Sequence, residues 1–190
     1  MLARVAERVY WMSRYLERVE NTARLADAYG KLLLDLPQEA DVGWSTVFQI
    51  LGIEEAFEEL GGQAAETNTV TALLADESQP FSLASALGIA RENARTTRDV
   101  MPMEAWRTIN ELQLYAAPRL GDQTTRPEAL REIVDRCHQV CGILDGTMSH
   151  GAAYQFVRLG RNLERADMRF GQGRGVPRMP WGCRLLPCDC

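Results

Sequence analysis

The stretch LARVAERVYWMSRYLERVENTARLADAYGKLLL, residues 2 to 34, decides the fold. Leu2, Val5, Val9, Met12, Leu16, Val19, Ala23 and Ala26 recur at spacings of three and four, which draws one unbroken apolar stripe along a helix. At about 1.5 Å per residue this helix spans roughly 45 to 50 Å, enough to form the spine of a bundle. Pro37 and the EADVG run after it are expected to end it.

The same helix carries a narrow polar arc. On a helical wheel Arg14, Glu17, Glu20, Asn21 and Arg24 fall together, opposite the stripe. Trp11, Tyr15, Leu25 and Tyr29 form a second, aromatic strip, with Arg18 set among them. Charges confined between two apolar faces read as a groove lining or a buried ionic seam.

The phrase at the centre of this arc occurs twice. RYLERVE (14–20) returns as RNLERAD (161–167), so that Arg14, Leu16, Glu17 and Arg18 match Arg161, Leu163, Glu164 and Arg165. Glu20 matches Asp167 in charge, and Met12 and Val19 match the apolar Leu159 and Ala166. Surface pairs such as Arg14–Glu17 or Glu20–Arg24 contribute only about 0.2–0.5 kcal/mol each. They give no reason for residue identities to repeat. The repetition reads as a duplicated half-unit whose second copy starts in the last helix. Duplicated helices packed about a pseudo-twofold axis would bring Glu17 near Arg165, or Glu164 near Arg18. A third cluster, ARENARTTRD (90–99), places Glu92, Asn93 and Arg95 in an order echoing Glu20, Asn21 and Arg24. Either it joins the seam or Arg95 pairs with Asp99 one turn on.

Further amphipathic segments follow at 44–60, 69–76 with Asn68 as its cap, and 82–100 with Ser82 as its cap. Others lie at 103–117 after Pro102, at 128–145 after Pro127, and from Ser149 to Met168 beyond a break at Gly146. Gly61-Gly62 closes the second segment, and no alternating β-branched run suggests a strand. The expectation is an all-α bundle of about six to seven helices, the first half of a duplicated unit plus the start of its second half. Residues 1–168 form the helical domain. The remainder, RFGQGRGVPRMPWGCRLLPCDC (169–190), has no helical period and interrupts a pattern still running. Its Gly, Pro, Arg and Cys content is what a reading-frame change in GC-rich coding sequence yields, so it is expected to be non-native, disordered or loosely attached. The last helix would then expose an apolar face that favours self-association.

Composition bounds the chemistry. The chain has 190 residues and a net charge of −5, with 17 Lys or Arg against 25 Asp or Glu before residue 169. An acidic body with no basic stripe argues against nucleic-acid or anionic-membrane partners. Lys31 is the only lysine, so a phosphate loop of the G-x-x-x-x-G-K-[ST] kind is absent. No apolar run of about 18 residues is present, and the N-terminus lacks the apolar core of a signal peptide. The expected compartment is the cytoplasm, and the five cysteines, an odd number, are expected to be reduced thiols. Cys137, His138 and Cys141 share a helix face, and Asp135-x-x-His138 has carboxylate–histidine spacing, but neither supplies the full ligand set of a zinc or di-iron site. Cys183, Cys188 and Cys190 also lack a fourth ligand. No metal and no cofactor is expected.

MLARVAERVYWMSRYLERVENTARLAD, ARENAR, DGTM and FVRLGRNLERAD, in this order over residues 1 to 168, resemble the bacterial alpha-E domain family, an all-helical family named for a recurring Glu-Arg motif. Members are usually longer, with a second half continuing after LERAD; from Arg169 onward this chain does not match. His150 also stands where the family's turn is usually more charged. The resemblance implies partnership with circularly permuted ATP-grasp ligases, fused or encoded alongside, in a setting shared with transglutaminase-like proteases and proteasome-related hydrolases. It thus implies a non-catalytic accessory module that binds the ligase, its peptide substrate, or both.

The residues allow two functions. In the first, Arg14, Arg18, Arg24, Arg95, Arg161 and Arg165 recognise the ligase or a carboxylate-bearing peptide. Glu17, Glu20, Asn21, Glu92, Asn93, Glu164 and Asp167 complete that arc, since a guanidinium fork matches a carboxylate bidentately. In the second, the chain is a catalytic subunit of amide-bond formation or hydrolysis, with Glu17 and Glu164 as acid–base groups. Neighbouring arginines stabilise the carboxylate and make a poor general acid, which favours the binding module.

Overall fold

The computed structural model describes residues 2–35, 43–60 and 66–171, and among these there is helix and no strand. The spine is α1 (Ala3–Asp35), followed by α2 (Ser45–Leu51), α3 (Glu54–Glu59), α4 (Glu66–Leu74) and α5 (Leu83–Arg95). A 3-10 turn (Arg98–Val100) leads to α6 (Met103–Ala116), α7 (Arg126–Thr147) and α8 (Ala152–Gly171). The all-α expectation holds.

Among the described residues eight α-helices replace seven segments because the run 44–60 breaks at Gly52. Its backbone is left-handed, with φ 60° and ψ 50°. Gly52 N–H donates to the Gln49 carbonyl and Ile53 N–H to the Phe48 carbonyl, both at 2.9 Å, which closes α2. The run from 82 likewise stops being α-helical at Arg95. Ser82 caps α5 as expected, its hydroxyl accepting from Ser85 N–H at 3.0 Å. Pro102 precedes α6, and Pro127 sits in the first turn of α7. Asn68 is not a cap, since α4 starts two residues before it. Gly146 lies inside α7, and the break comes at Met148, whose backbone is extended. Pro37, Gly61-Gly62 and the tail from residue 172 lie outside the described residues.

From Val9 onward the stripe on α1 does what its spacing requires: Val9, Met12, Leu16, Val19, Ala23 and Ala26 are all buried, whereas Leu2 is 77% exposed and Val5 only partly buried. The N-terminal part packs with Ala90 and Ala94 of α5, Ala105 and Ile109 of α6, and Val140 and Leu144 of α7. Its C-terminal part meets Phe48, Leu73, Leu87, Leu112 and Ile133. Small alanines on α5 let that helix lie close to the spine. Each buried Val, Leu, Ile, Phe or Met contributes about 1.5–3 kcal/mol, so Val9, Met12, Leu16 and Val19 anchor α1 firmly in the core. Helices α5, α7 and α8 surround α1, and α6 bridges α5 and α7. No described helix is long and apolar enough to cross a membrane.

Candidate functional site

The two Glu-Arg motifs meet where α8 crosses α1. Ser13 and Gly160 occupy equivalent places, each just before the first arginine of its motif, and they mark the crossing. A Cβ on Gly160 would run into Ser13 Oγ, lie 2.5 Å from the Tyr10 carbonyl oxygen and lie 3.2 Å from Arg14 N. Only glycine allows this approach.

Beyond the crossing the charges pair reciprocally. The Glu164 side chain has no exposed surface; Arg14 Nε donates to its Oε2 at 2.8 Å and Arg18 Nε to its Oε1 at 2.7 Å. Arg18 Nη2 adds a bond to Oε2 at 3.1 Å, making that pair a two-pronged fork. From the other motif, Arg165 Nε donates to Glu17 Oε1 at 2.5 Å, and Arg161 Nε lies 3.8 Å from Glu17 Oε2. Each glutamate thus faces both arginines of the opposite motif, as a pseudo-twofold axis requires. Around Glu17, Glu20 and Glu164 the charged arc of α1 is a buried seam, not an open groove, and only its end at Arg24 is largely exposed.

The symmetry fails at the third acid. Arg14 also reaches Asp167, but the equivalent partners Arg161 and Glu20 go elsewhere. Arg161 Nη1 turns to Asp145 of α7 at 3.3 Å, and Asp145 also accepts from the Tyr154 hydroxyl at 3.2 Å. Glu20 pairs with Arg24 and, at 3.0 Å, with His138 Nε2 of α7. That same nitrogen lies 3.0 Å from Arg24 Nη2, and it serves as donor to the one or acceptor from the other, never both. The pull of α7 leaves Glu17 Oε2 and Arg161 Nε buried without a hydrogen-bond partner. Asn21 stays near the seam, its amide 3.4 Å from Glu17 Oε1.

Aromatic rings floor the seam. The Arg14 guanidinium lies 5.9 Å from the Tyr10 ring centre and 5.7 Å from that of Trp11, and Arg18 lies 4.8 Å from that of Tyr15. Burial alone would lower the Arg14 pKa, but its bond to the Tyr10 hydroxyl and the Glu164 charge outweigh it and hold the guanidinium above its ordinary value. The bond to Glu17 raises Arg165 likewise. Burial pushes the Cys137 thiol up, and pushes Cys141 up to about 11, so neither behaves as a reactive thiolate.

The third cluster lies apart from the seam. Arg95 Nε and Nη2 both bind Glu92 at 2.8 Å on an exposed face, so Arg95 joins neither the seam nor Asp99. Asn93 donates to the Ile89 carbonyl at 3.0 Å. The reason is rotational: Ala90 and Ala94 take the inward face of α5, which turns Glu92 and Arg95 outward. Among the described residues no group of His, Cys, Asp and Glu is placed to hold a metal ion. Sequence reading passed over Gly160, Tyr10, Asp145 and His138 as seam residues. Gly160, a mid-helix glycine aligned with another small residue, was the one detectable signal.

The match to known proteins agrees with the all-helical fold. The model of the Alpha-E family, described as a predicted alpha-helical domain with a conserved ER motif, matches residues 1–171. Neither the curated proteins nor the solved structures contain a match to the chain. The chain's repeated Glu-Arg pairs, Glu17-Arg18 and Glu164-Arg165, are the two halves of one interlocked seam, and the chain belongs to the Alpha-E family.

Proposed function

We propose that this chain is a non-catalytic helical module that works in the cytoplasm beside an ATP-grasp-type peptide or amide ligase, binding the ligase or a carboxylate-bearing peptide. One observation carries the preference for binding over catalysis. Glu164 is fully buried and both its oxygens are engaged by guanidinium groups. A general acid or base must come within hydrogen-bond reach of a substrate proton, and this carboxylate faces only arginines. Glu17, the other acid–base candidate, is buried with Oε1 bound by Arg165 and Oε2 turned toward Arg161 at 3.8 Å, so it too faces arginines. The motif then acts as a clamp that sets α8 on α1 in one register and keeps the outer surface rigid. The ligase as partner rests on the family resemblance.

Co-purification tests the reading. Co-expressed with a neighbouring ATP-grasp ligase, the chain is expected to elute as a stoichiometric complex and to turn over neither ATP nor peptide by itself. Failure to associate removes the partner assignment. Turnover by the isolated chain, abolished in Glu17→Gln or Glu164→Gln variants that remain folded, restores the catalytic alternative.

A further inference from the structure

We infer that the corner between α5 and α6 is a carboxylate-recognition surface for a peptide, built from the Trp106 indole and the guanidinium groups of Arg91 and Arg98. The inference deepens the binding-module reading and rests on it: it places peptide recognition away from the seam, whose arginines are already matched by the chain's own acids.

Both cations converge on one ring. The Arg91 guanidinium carbon lies 5.9 Å from the Trp106 ring centre, and that of Arg98 lies 5.6 Å from it. Each is also fixed through its Nε, Arg91 donating to Asn110 Oδ1 at 2.8 Å and Arg98 to the Arg95 carbonyl at 3.0 Å. A guanidinium has five N–H donors, so the Nη groups of two oriented forks remain for an acceptor. Arg91 and Trp106 are half-buried and Arg98 is exposed, which keeps the surface accessible.

The seam shows what this arrangement lacks. Arg14 and Arg18 also lie over aromatic rings, and both are neutralised by Glu164, with Asp167 added for Arg14. Around Trp106 two like charges share one ring, and among the described residues no carboxylate lies within ion-pair distance of either. Glu92 is paired with Arg95 and acts on Arg91 only beyond ion-pair distance, and Asp99 and Glu104 are exposed without pairing to Arg91 or Arg98. An incoming carboxylate relieves that repulsion and meets donors already in place, so little ordering entropy is lost on binding. On the same helix as Trp106 and one turn before it, Met103 is 52% exposed. An exposed methionine one turn from Trp106 offers apolar contact that an acidic peptide can use and a free inorganic anion cannot.

The test uses the full chain and a fluorescently labelled tetraglutamate peptide at low ionic strength, read by polarisation. Saturable binding is expected, with tetraglutamine silent. Arg91→Gln and Arg98→Gln should each weaken it by about tenfold, the loss of roughly one charge-assisted bond. Arg95→Gln, a neighbouring arginine already paired with Glu92, should stay within about twofold. Circular dichroism confirms that all three variants are folded. No binding, equal losses at Arg95 and Arg98, or displacement of the peptide by an equal concentration of inorganic phosphate overturns the assignment. If a ligase complex forms with the wild type and survives Arg91→Gln and Arg98→Gln unchanged, the accessory reading stands without this surface. If tetraglutamate binds but no ligase does, this surface stands and the partner assignment falls.

Discussion

Glu164 and Glu17 carry the same motif letter but sit in unequal surroundings. Glu164 faces Arg14 and Arg18, both largely buried, whereas Arg165 opposite Glu17 is nearly half exposed. Removing one partner of a buried ion pair costs about 3–5 kcal/mol because the remaining charge is stranded. Glu164→Gln is therefore expected to lower the urea-unfolding free energy by about that amount, and Glu17→Gln by less, since solvent can reach Arg165. Glu58→Gln, on an exposed helix, should change it by no more than about 0.5 kcal/mol. Equal effects at all three positions would show that the seam is not a structural lock. Cys141 adds a pH dependence. Its thiol is raised by burial from 9.0 to about 11, so the folded state holds its proton longer than the unfolded state does. That contribution is complete below about pH 9 and is lost as pH rises toward about 11. The melting temperature should fall across this window, and fall less steeply in Cys141→Ser. At this scale the reciprocal pairs were legible, because Leu-Glu-Arg repeats in identity and not merely in polarity. Asp145 and His138 were not, because a lone acid and a lone histidine on α7 carry no sign of which helix they will face.

Among the elements, the crossing of α1 and α8 depends on one missing side chain. Gly160→Ala should destabilise the fold by about 1–3 kcal/mol, the usual cost of forcing an extra group into a packed contact. Ser13→Ala should not rescue it, because the Tyr10 carbonyl blocks the same space. Thermal melts of the two single variants and the double variant check both statements. Helix existence was readable throughout from spacing, and Ser82 was readable as a cap. The break at Gly52 was not, since the apolar pattern of Val47, Phe48, Leu51 and Phe57 continues across it and hides the change of backbone. Glu92 and Arg95 were misassigned for a related reason. A local phrase resembling that of α1 says nothing about which way α5 is rotated, and the alanines decided that.

For the whole molecule the duplication leaves an imbalance. Met12 and Leu16 of α1 are buried beneath α5, α6 and α7, while their counterparts Leu159 and Leu163 on α8 are 47% and 40% exposed. Leu16→Glu is expected to prevent folding, whereas Leu163→Glu should leave the melting temperature nearly unchanged. The second substitution should also reduce concentration-dependent association in sedimentation velocity, since the stripe on α8 is the apolar face it interrupts. Equal tolerance at the two sites would mean that the equivalence between α1 and α8 is not structural.

The pairing of Ser13 with Gly160 decides which helix α1 can take as its partner. Because both motifs carry the same charges in the same order, electrostatics alone would let α1 of one molecule pair with α1 of another as well as with its own α8. Shape forbids it: two serines would meet where the backbones leave room for one side chain and a hydrogen atom. Two copies of α8 would bring glycine against glycine, with no such clash. The chain is thus sterically directed to pair α1 with an α8, its own or that of another copy, and any exchange of motifs between molecules must pass through α8.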